Sequence, residues 1–254
     1  MDRLAFNASA AINEQRLARQ TLSHEMANIN TTGFKRSYEV TMKAYKADGD
    51  GFDSRYQPQA LSYDLIQLQG GTLIATGRDL DILMNDKTVM GVTAPNGQLA
   101  FTRRGDLRLN ANGVLETGVG HVVRGEDGPI TIPPGFKVTI GDDGSVYAVD
   151  PAQPGVPQPV LISRLLLRDA SQIQLGRRED GLFKVDGQPT GTDFASGPLP
   201  ATITSKALEG SNVNPMTVMV KLIEQSRSFE HQVRMVKESK SNDESGASML
   251  RLPS

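Results

Sequence analysis

Residues 26–39 read MANINTTGFKRSYE, and the reading of this stretch decides the fold. Asn28, Asn30, Thr31, Thr32 and Gly33 stand almost together, and Phe34 then precedes two cations, Lys35 and Arg36. Behind the stretch, apolar residues recur at three- and four-residue steps. They are Leu4, Ala8, Ala11, Ala18 and Leu22, with Ile12, Met26 and Ile29 widening the stripe. That spacing predicts one helix over residues 3–29, about 40 Å long. The quoted stretch then reads as its stop. Asn28 and Asn30 tolerate left-handed geometry, and Gly33 supplies a positive φ. Phe34 would fold back onto Ile29, while Lys35 and Arg36 complement the negative end of the helix dipole. The stripe is narrow and rich in Ala, so this helix buries too little to stand alone in water.

The far end of the chain mirrors this pattern. Asn214 before Pro215 is a helix start. A frame follows at Met219, Leu222, Ser226, Phe229, Val233 and Val236; Lys240 and Asp243 interrupt it, and Ala247 and Leu250 resume it. This is the spacing of a coiled-coil seam. Between the two helices, short apolar runs such as FKVTI, SVYAV and VLISRLLLR alternate with turn signals. The signals are Asn96-Gly97, Asn112-Gly113, Asp143-Gly144, Asp180-Gly181 and Asp186-Gly187, each offering the positive φ that tight hairpins need. Residues 151–159, PAQPGVPQP, form a Pro-rich loop. The expectation is an α+β chain: N- and C-terminal helices paired as a coiled-coil-like domain, with an all-β hairpin-rich module inserted between them. Its parts would be an N-terminal helix in 1–38, an extended connector with room for one short strand in 39–71, the β-module in 72–205 and the C-terminal helix in 206–254.

Little in the chain points to chemistry. It has no Cys, which excludes disulfides and thiolate catalysis, and its His24, His121 and His231 lack metal-ligand spacing. A net charge of -2 argues against a general nucleic-acid binder. No Sec-type signal peptide is visible, and no window approaches eighteen apolar residues, so no membrane insertion is expected. Gly118, Gly120 and Gly125 have the wrong spacing for a dinucleotide fingerprint. Asp142 and Asp143 read as a solvated turn, and the pairs Arg103-Arg104 and Arg177-Arg178 as surface cations beside turns. No catalytic, cofactor-binding or metal-binding residue is expected.

The quoted stretch has a second meaning. Ala27, Asn28, Asn30, Thr31, Gly33, Phe34 and Lys35 match the "ANxNTxGFK" signature, and the chain here resembles the bacterial flagellar rod and hook proteins. LEGSNVNP resembles the family's C-terminal signature through Ser211, Asn212 and Val213, followed by an aromatic-Glu pair at Phe229-Glu230. GRDLDILM, GQLAFTRRGDLRLNANGVLETGVGHVVRG and GPITIP resemble its middle elements, in the same order. One departure is NDKTVMGV, where Val89 and Met90 stand in place of aromatics. Within the family, the short length and Phe229-Glu230 favour a proximal-rod member over a distal-rod or other axial one. Outside it, a β-rich binding module is the other reading. The resemblance implies a non-enzymatic subunit of the basal body in the periplasm, exported by the flagellar type III apparatus without a cleaved signal. It also implies assembly with copies of itself and neighbouring rod subunits. The assembly seam would be Leu4, Ala8, Ala11, Ala18, Leu22, Met219, Leu222, Phe229, Val233, Val236 and Leu250.

Overall fold

A computed structural model describes residues 2–38, 41–46, 56–61, 65–152 and 158–249. The chain divides into two compact units. The first comprises Met1–Ala27, Glu39–Tyr63 and Asn214–Ser254. It contains helix α1 (Asp2–Ala27), strands β1 (Thr41–Lys46) and β2 (Tyr56–Leu61), and helix α2 (Pro215–Met249). The start of α2 follows from its sequence. Asn214 Oδ1 accepts the Thr217 N–H at 3.2 Å, its carbonyl accepts the Val218 N–H at 3.1 Å, and Pro215 takes the first turn, where no donor is needed. β1 and β2 form an antiparallel ladder from Thr41↔Leu61 to Lys46↔Tyr56. A region read as a connector with room for one short strand therefore holds a two-stranded pair.

The expected coiled-coil-like pair of terminal helices is overturned. A coiled coil needs an unbroken apolar seam. The less exposed face of α2 carries Val218, Leu222, Val233 and Val236, but Gln225, Ser228, Gln232 and Ser239 interrupt it. Gln15 of α1 reaches Ser228 through one side-chain hydrogen bond of 2.5 Å. A cavity of about 130 Å³, lined by Ile12, Gln15, Arg16, Arg19, Gln225 and Phe229, lies where knobs would have to fill holes. Gln15 Oε1, Gln225 Oε1, Gln232 Oε1 and Ser239 Oγ are buried without a hydrogen-bond partner. The inward face thus mixes apolar and polar side chains and carries no unbroken seam among the described residues. The chain is a β-rich body carrying two terminal helices.

The second unit comprises Asn28–Tyr38 and Asp64–Val213. Its strands begin with β3 (Leu73–Ala75), β4 (Ile82–Met84), β5 (Thr88–Thr93), β6 (Leu99–Thr102), β7 (Leu107–Leu109), β8 (Leu115–Thr117), β9 (Val122–Gly125) and β10 (Gly128–Pro129). β11 (Lys137–Ile140), β12 (Ser145–Val149), β13 (Val160–Arg164), β14 (Leu167–Asp169), β15 (Leu175–Arg177), β16 (Phe183–Val185), β17 (Ile203–Ser205) and β18 (Ala207–Glu209) follow. The main sheet runs β15-β16-β6-β5-β9-β8-β7, with β14 added on β5 and β10 on β9. β11-β12-β13 make a second sheet, and β17-β4 and β18-β3 make two further pairs.

β5 shows why the sheet is stable. Side chains alternate across a strand. Val89 joins Leu99, Phe101, Leu175 and Phe183 in one apolar cluster, while Met90 and Val92 join Ile82, Ala100, Leu115 and Val123 in the other. Both faces are covered, so Thr88 to Val92 are all buried. The two residues that depart from the family pattern thus occupy the centre of the body. Gly91 follows them, and a Cβ there would come within 2.5 Å of Leu166 Cδ2.

The hairpins share one geometry. In Ala94–Gln98, Asn110–Val114, Gly141–Ser145 and Arg178–Leu182, the glycine N–H bonds the carbonyl three residues back, and the first residue's N–H bonds the last carbonyl. Only the glycine has positive φ, from 76° to 81°, so each is a type I turn closed by a glycine bulge rather than a two-residue turn. Asn96, Asp143 and Asp180 each accept the N–H two residues on. The fifth signal, Asp186-Gly187, follows β16 and closes no ladder, since the next strand, β17, pairs with β4. These loops give a graded prediction. Nothing lies within 4 Å of a Cβ at Gly97, so Gly97→Ala should cost about 1–2 kcal/mol from left-handed backbone alone. Gly113→Ala should cost more, because its Cβ would fall on the Ile132 carbonyl. Urea denaturation of both variants checks the order; equal losses would overturn it.

Candidate functional site

The quoted stretch and the C-terminal motif come together inside the β-body. α1 ends at Ala27, six positions before Gly33. Asn28 and Thr31 form a small turn, with Thr31 N–H on the Asn28 carbonyl at 3.2 Å and Thr31 Oγ1 on Asn28 Oδ1 at 3.0 Å. Gly33 does have positive φ, +69°, but it is not the residue just past a helix cap. Its N–H donates to the Glu209 carbonyl at 2.7 Å, and a Cβ would fall on the Arg103 carbonyl. The requirement for glycine is close approach of two backbones.

Lys35 is likewise not a surface partner of a helix dipole. It is fully buried, and its Nζ donates to Glu209 Oε1 at 2.6 Å and to the Gln69 carbonyl at 2.7 Å. Arg103, expected at the surface, is buried too. Its Nε donates to Glu209 Oε2 at 2.7 Å. Its Nη1 donates to the Asp86 and Thr88 carbonyls, and its Nη2 to the Met84 carbonyl. Glu209 also accepts the Gly71 N–H at 2.9 Å. One carboxylate thus serves two buried cations and a backbone donor, with every contact charge-assisted.

The electrostatics follow from burial. Loss of solvent, then the neighbouring Arg103 charge, lowers the Lys35 amine to about 8, against the opposing pull of Glu209. Burial pushes the Glu209 carboxyl up, but the Arg103 hydrogen bond and charge, with help from Lys35, outweigh it and hold the group below the ordinary carboxylate value.

Around this centre the two motifs are stitched by backbone. Asn212 N–H donates to the Phe34 carbonyl at 3.3 Å, and Arg36 N–H donates to Asn212 Oδ1 at 2.7 Å. Asn212 Nδ2 donates to the Gln67 and Gln69 carbonyls. Ser211 Oγ accepts the Val213 N–H, and the Val213 side chain is buried. The Phe34 ring lies under the Arg177 guanidinium at 4.5 Å, and Arg177 Nη2 donates to the Lys35 carbonyl. The arrangement is a packed tie between the two motifs, with Glu209 and Asn212 bonded to residues of the first. Among the described residues, no group of three His, Asp or Glu could hold a metal ion, and no helix is long and apolar enough to cross a membrane.

The seam residues lie in the other unit. On α1, Ala11, Ala18 and Leu22 are half-buried; Leu4 and Ala8 lie on the helix with their side chains outside the description, and Leu250 is outside the described residues. On α2, Leu222, Val233 and Val236 are half-buried, while Phe229 and Glu230 are exposed. Met216, Met219, Val220 and Ile223 are 71%, 47%, 53% and 54% exposed and share the i, i+3, i+4, i+7 spacing of one helix face. Sequence reading missed Arg103 and Glu209. The signal available was period-two alternation: Ala207 and Glu209 point inward from β18 while Leu208 lies between, and Arg103 continues the buried run of β6.

Residues 88–148 match the family model described as the flagellar hook protein FlgE/F/G D1 domain, and residues 204–249 match the flagellar basal body rod FlgEFG protein C-terminal model. The chain is 32% identical over 240 residues to the flagellar basal-body rod protein FlgF of Salmonella typhimurium, covering 93% of each. It is 29% identical over 242 residues to FlgF of Escherichia coli, again with 93% of each chain covered. Flagellar basal-body rod protein FlgG of Buchnera aphidicola is 28% identical over 242 residues, covering 88% of this chain and 90% of its own length.

Proposed function

This chain belongs to the flagellar basal-body rod protein family and is a structural subunit of that rod, and from this premise we propose that it builds the proximal segment. Similarity to FlgF proteins over 93% of the chain carries the reading, and the Phe229-Glu230 pair supports it. The subunit joins copies of itself and neighbouring rod subunits into a hollow helical axle that transmits torque. A head-to-tail contact that does not close on itself gives such a filament. The exposed apolar face of α2 supports a role in those contacts, because a stripe of that kind marks an interaction site. The subunit reaches the periplasm through the flagellar type III export apparatus without a cleaved signal peptide. It has no catalytic role and needs no cofactor, nucleic acid or membrane insertion.

Similarity to FlgG supports a second reading, a distal-rod subunit. Deletion of the gene followed by microscopy of purified basal bodies separates them. Loss of motility with no rod beyond its base is the expected result. A rod that lacks only its outer segment assigns the distal position, and a complete rod overturns both readings.

A further inference from the structure

We propose that the open edge of β3 takes up strand β1 of a second copy of this chain, merging two two-stranded ribbons into one four-stranded sheet across the contact. This rests on the chain's role as a rod subunit and adds a contact distinct from the α2 face. β3 pairs only with β18 among the described residues. Thr76 N–H donates to the Lys206 carbonyl, and Gly210 N–H donates to the Thr72 carbonyl. Ile74 stands opposite Leu208, so the alternation of an antiparallel ladder turns the N–H and C=O groups of Leu73 and Ala75 away from β18. None of these four groups has a partner among the described residues. Leu73 and Ile74, on opposite faces of the strand, are 59% and 47% exposed. Other edges are covered or blunted. Ile66 N–H bonds the Leu175 carbonyl of β15, Ile203 N–H of β17 bonds the Asp142 carbonyl, and Pro159 precedes the exposed Val160 and Leu161 of β13. From Thr72 to Thr76, β3 has no charge, no proline and no bulge, the devices by which edges avoid pairing.

β1 offers the matching edge. It pairs only with β2 among the described residues, and β2 carries Pro58 opposite Ala44. A proline nitrogen within a ladder faces away from the partner strand, so Pro58 blunts the outer edge of β2. The same alternation then turns the N–H and C=O groups of Met42, Ala44 and Lys46 outward from β1. A two-stranded ribbon is marginal alone and gains from further strands. The two edges are different patches of one chain, so the contact runs head to tail and repeats along a rod, whereas β3 on β3 would close a dimer. In antiparallel register, Leu73 and Ala75 exchange hydrogen bonds with the outward groups of β1. Ile74 then stands opposite Lys43 or Tyr45, never Ala44, with Cα atoms about 4.5 Å apart, within reach of a disulfide.

Cysteine cross-linking in basal bodies from a deletion strain expressing the full chain tests this. The chain has no Cys, so an introduced pair reports without background. On mild oxidation, Ile74→Cys combined with Lys43→Cys or with Tyr45→Cys should give covalent multimers of this chain from at least one of the two pairs. Ile74→Cys with Ala44→Cys, and Ile74→Cys alone, should stay monomeric. Ala75→Pro removes an outward N–H and nothing the subunit itself uses. Its circular dichroism and urea midpoint should match the wild type, while its content in basal bodies falls about tenfold. The proposal fails if neither of the first two pairs cross-links, if all three pairs cross-link equally, or if Ile74→Cys alone gives a dimer. It fails also if Ala75→Pro assembles normally, or if it unfolds the body, because the outward groups would then serve the subunit itself. Absence of the wild-type chain from basal bodies would instead overturn the rod role, so the two failures are distinct.

Discussion

Glu209→Ala should destabilise the β-body by about 3–5 kcal/mol, the cost of leaving buried charge without its partner. The asymmetry of the cluster explains the size. Removing Glu209 leaves Lys35 and Arg103 facing each other with no carboxylate, and neither can reach water while the body is folded. Lys35→Met is the contrasting case. Glu209 keeps Arg103 and Gly71, and an amine that burial already disfavours is gone, so the change should cost no more than about 1 kcal/mol. Urea denaturation followed by circular dichroism at pH 7 compares them; equal losses would show that Glu209 is not the hub. The pH dependence has two parts. The Glu209 value is depressed on folding, so its contribution is full above the ordinary carboxylate value of 4.5 and is lost as pH falls through the folded value. The Lys35 value falls from 10.5 to about 8, so between those limits the unfolded chain binds the extra proton and stability rises with pH. Lys35→Met should abolish that rise.

The hairpins were legible in the sequence because a three-residue turn with glycine in the left-handed position is a local property. Asn96-Gly97 and Asp143-Gly144 announce it without reference to anything distant. The tie was illegible for the opposite reason. Lys35, Arg103 and Glu209 are separated by 68 and 106 residues, as 103 minus 35 and 209 minus 103 give, and nothing near any of them requires burial. A lone Lys after Phe34 satisfies a helix-dipole reading as well as an ion-pair reading. The resemblance identified the motif residues but not that Gly33 is needed for the Arg103 carbonyl rather than a cap. The helix pairing failed on polarity. Leu222, Val233 and Val236 are half-buried as the expected frame places them, but Gln225, Gln232 and Ser239 share their face and break a coiled-coil seam.

The exposed face of α2 sets the second large effect. Met219→Asp combined with Ile223→Asp should abolish incorporation into the rod while leaving the β-body folded. Both side chains lie on the exposed face of α2, 47% and 54% accessible, in a unit separate from the body core. Full burial of such a side chain is worth about 1.5–3 kcal/mol, so covering the exposed half of each contributes about 1.5–3 kcal/mol for the pair. Carboxylates at both positions lose that gain and add the cost of removing charge from water. At 1.4 kcal/mol per tenfold, the concentration needed for assembly rises at least about tenfold. In a filament the loss recurs at every subunit, so partial incorporation is not an intermediate outcome. Complementation of a deletion strain measures motility and basal-body content, and circular dichroism of the purified variant confirms the body. Glu224→Gln and Lys221→Gln flank the same stripe without entering it and should leave assembly unchanged. Normal rods from the double Asp variant would move the contact to another face, and the half-buried Leu222, Val233 and Val236 would then be the positions to change.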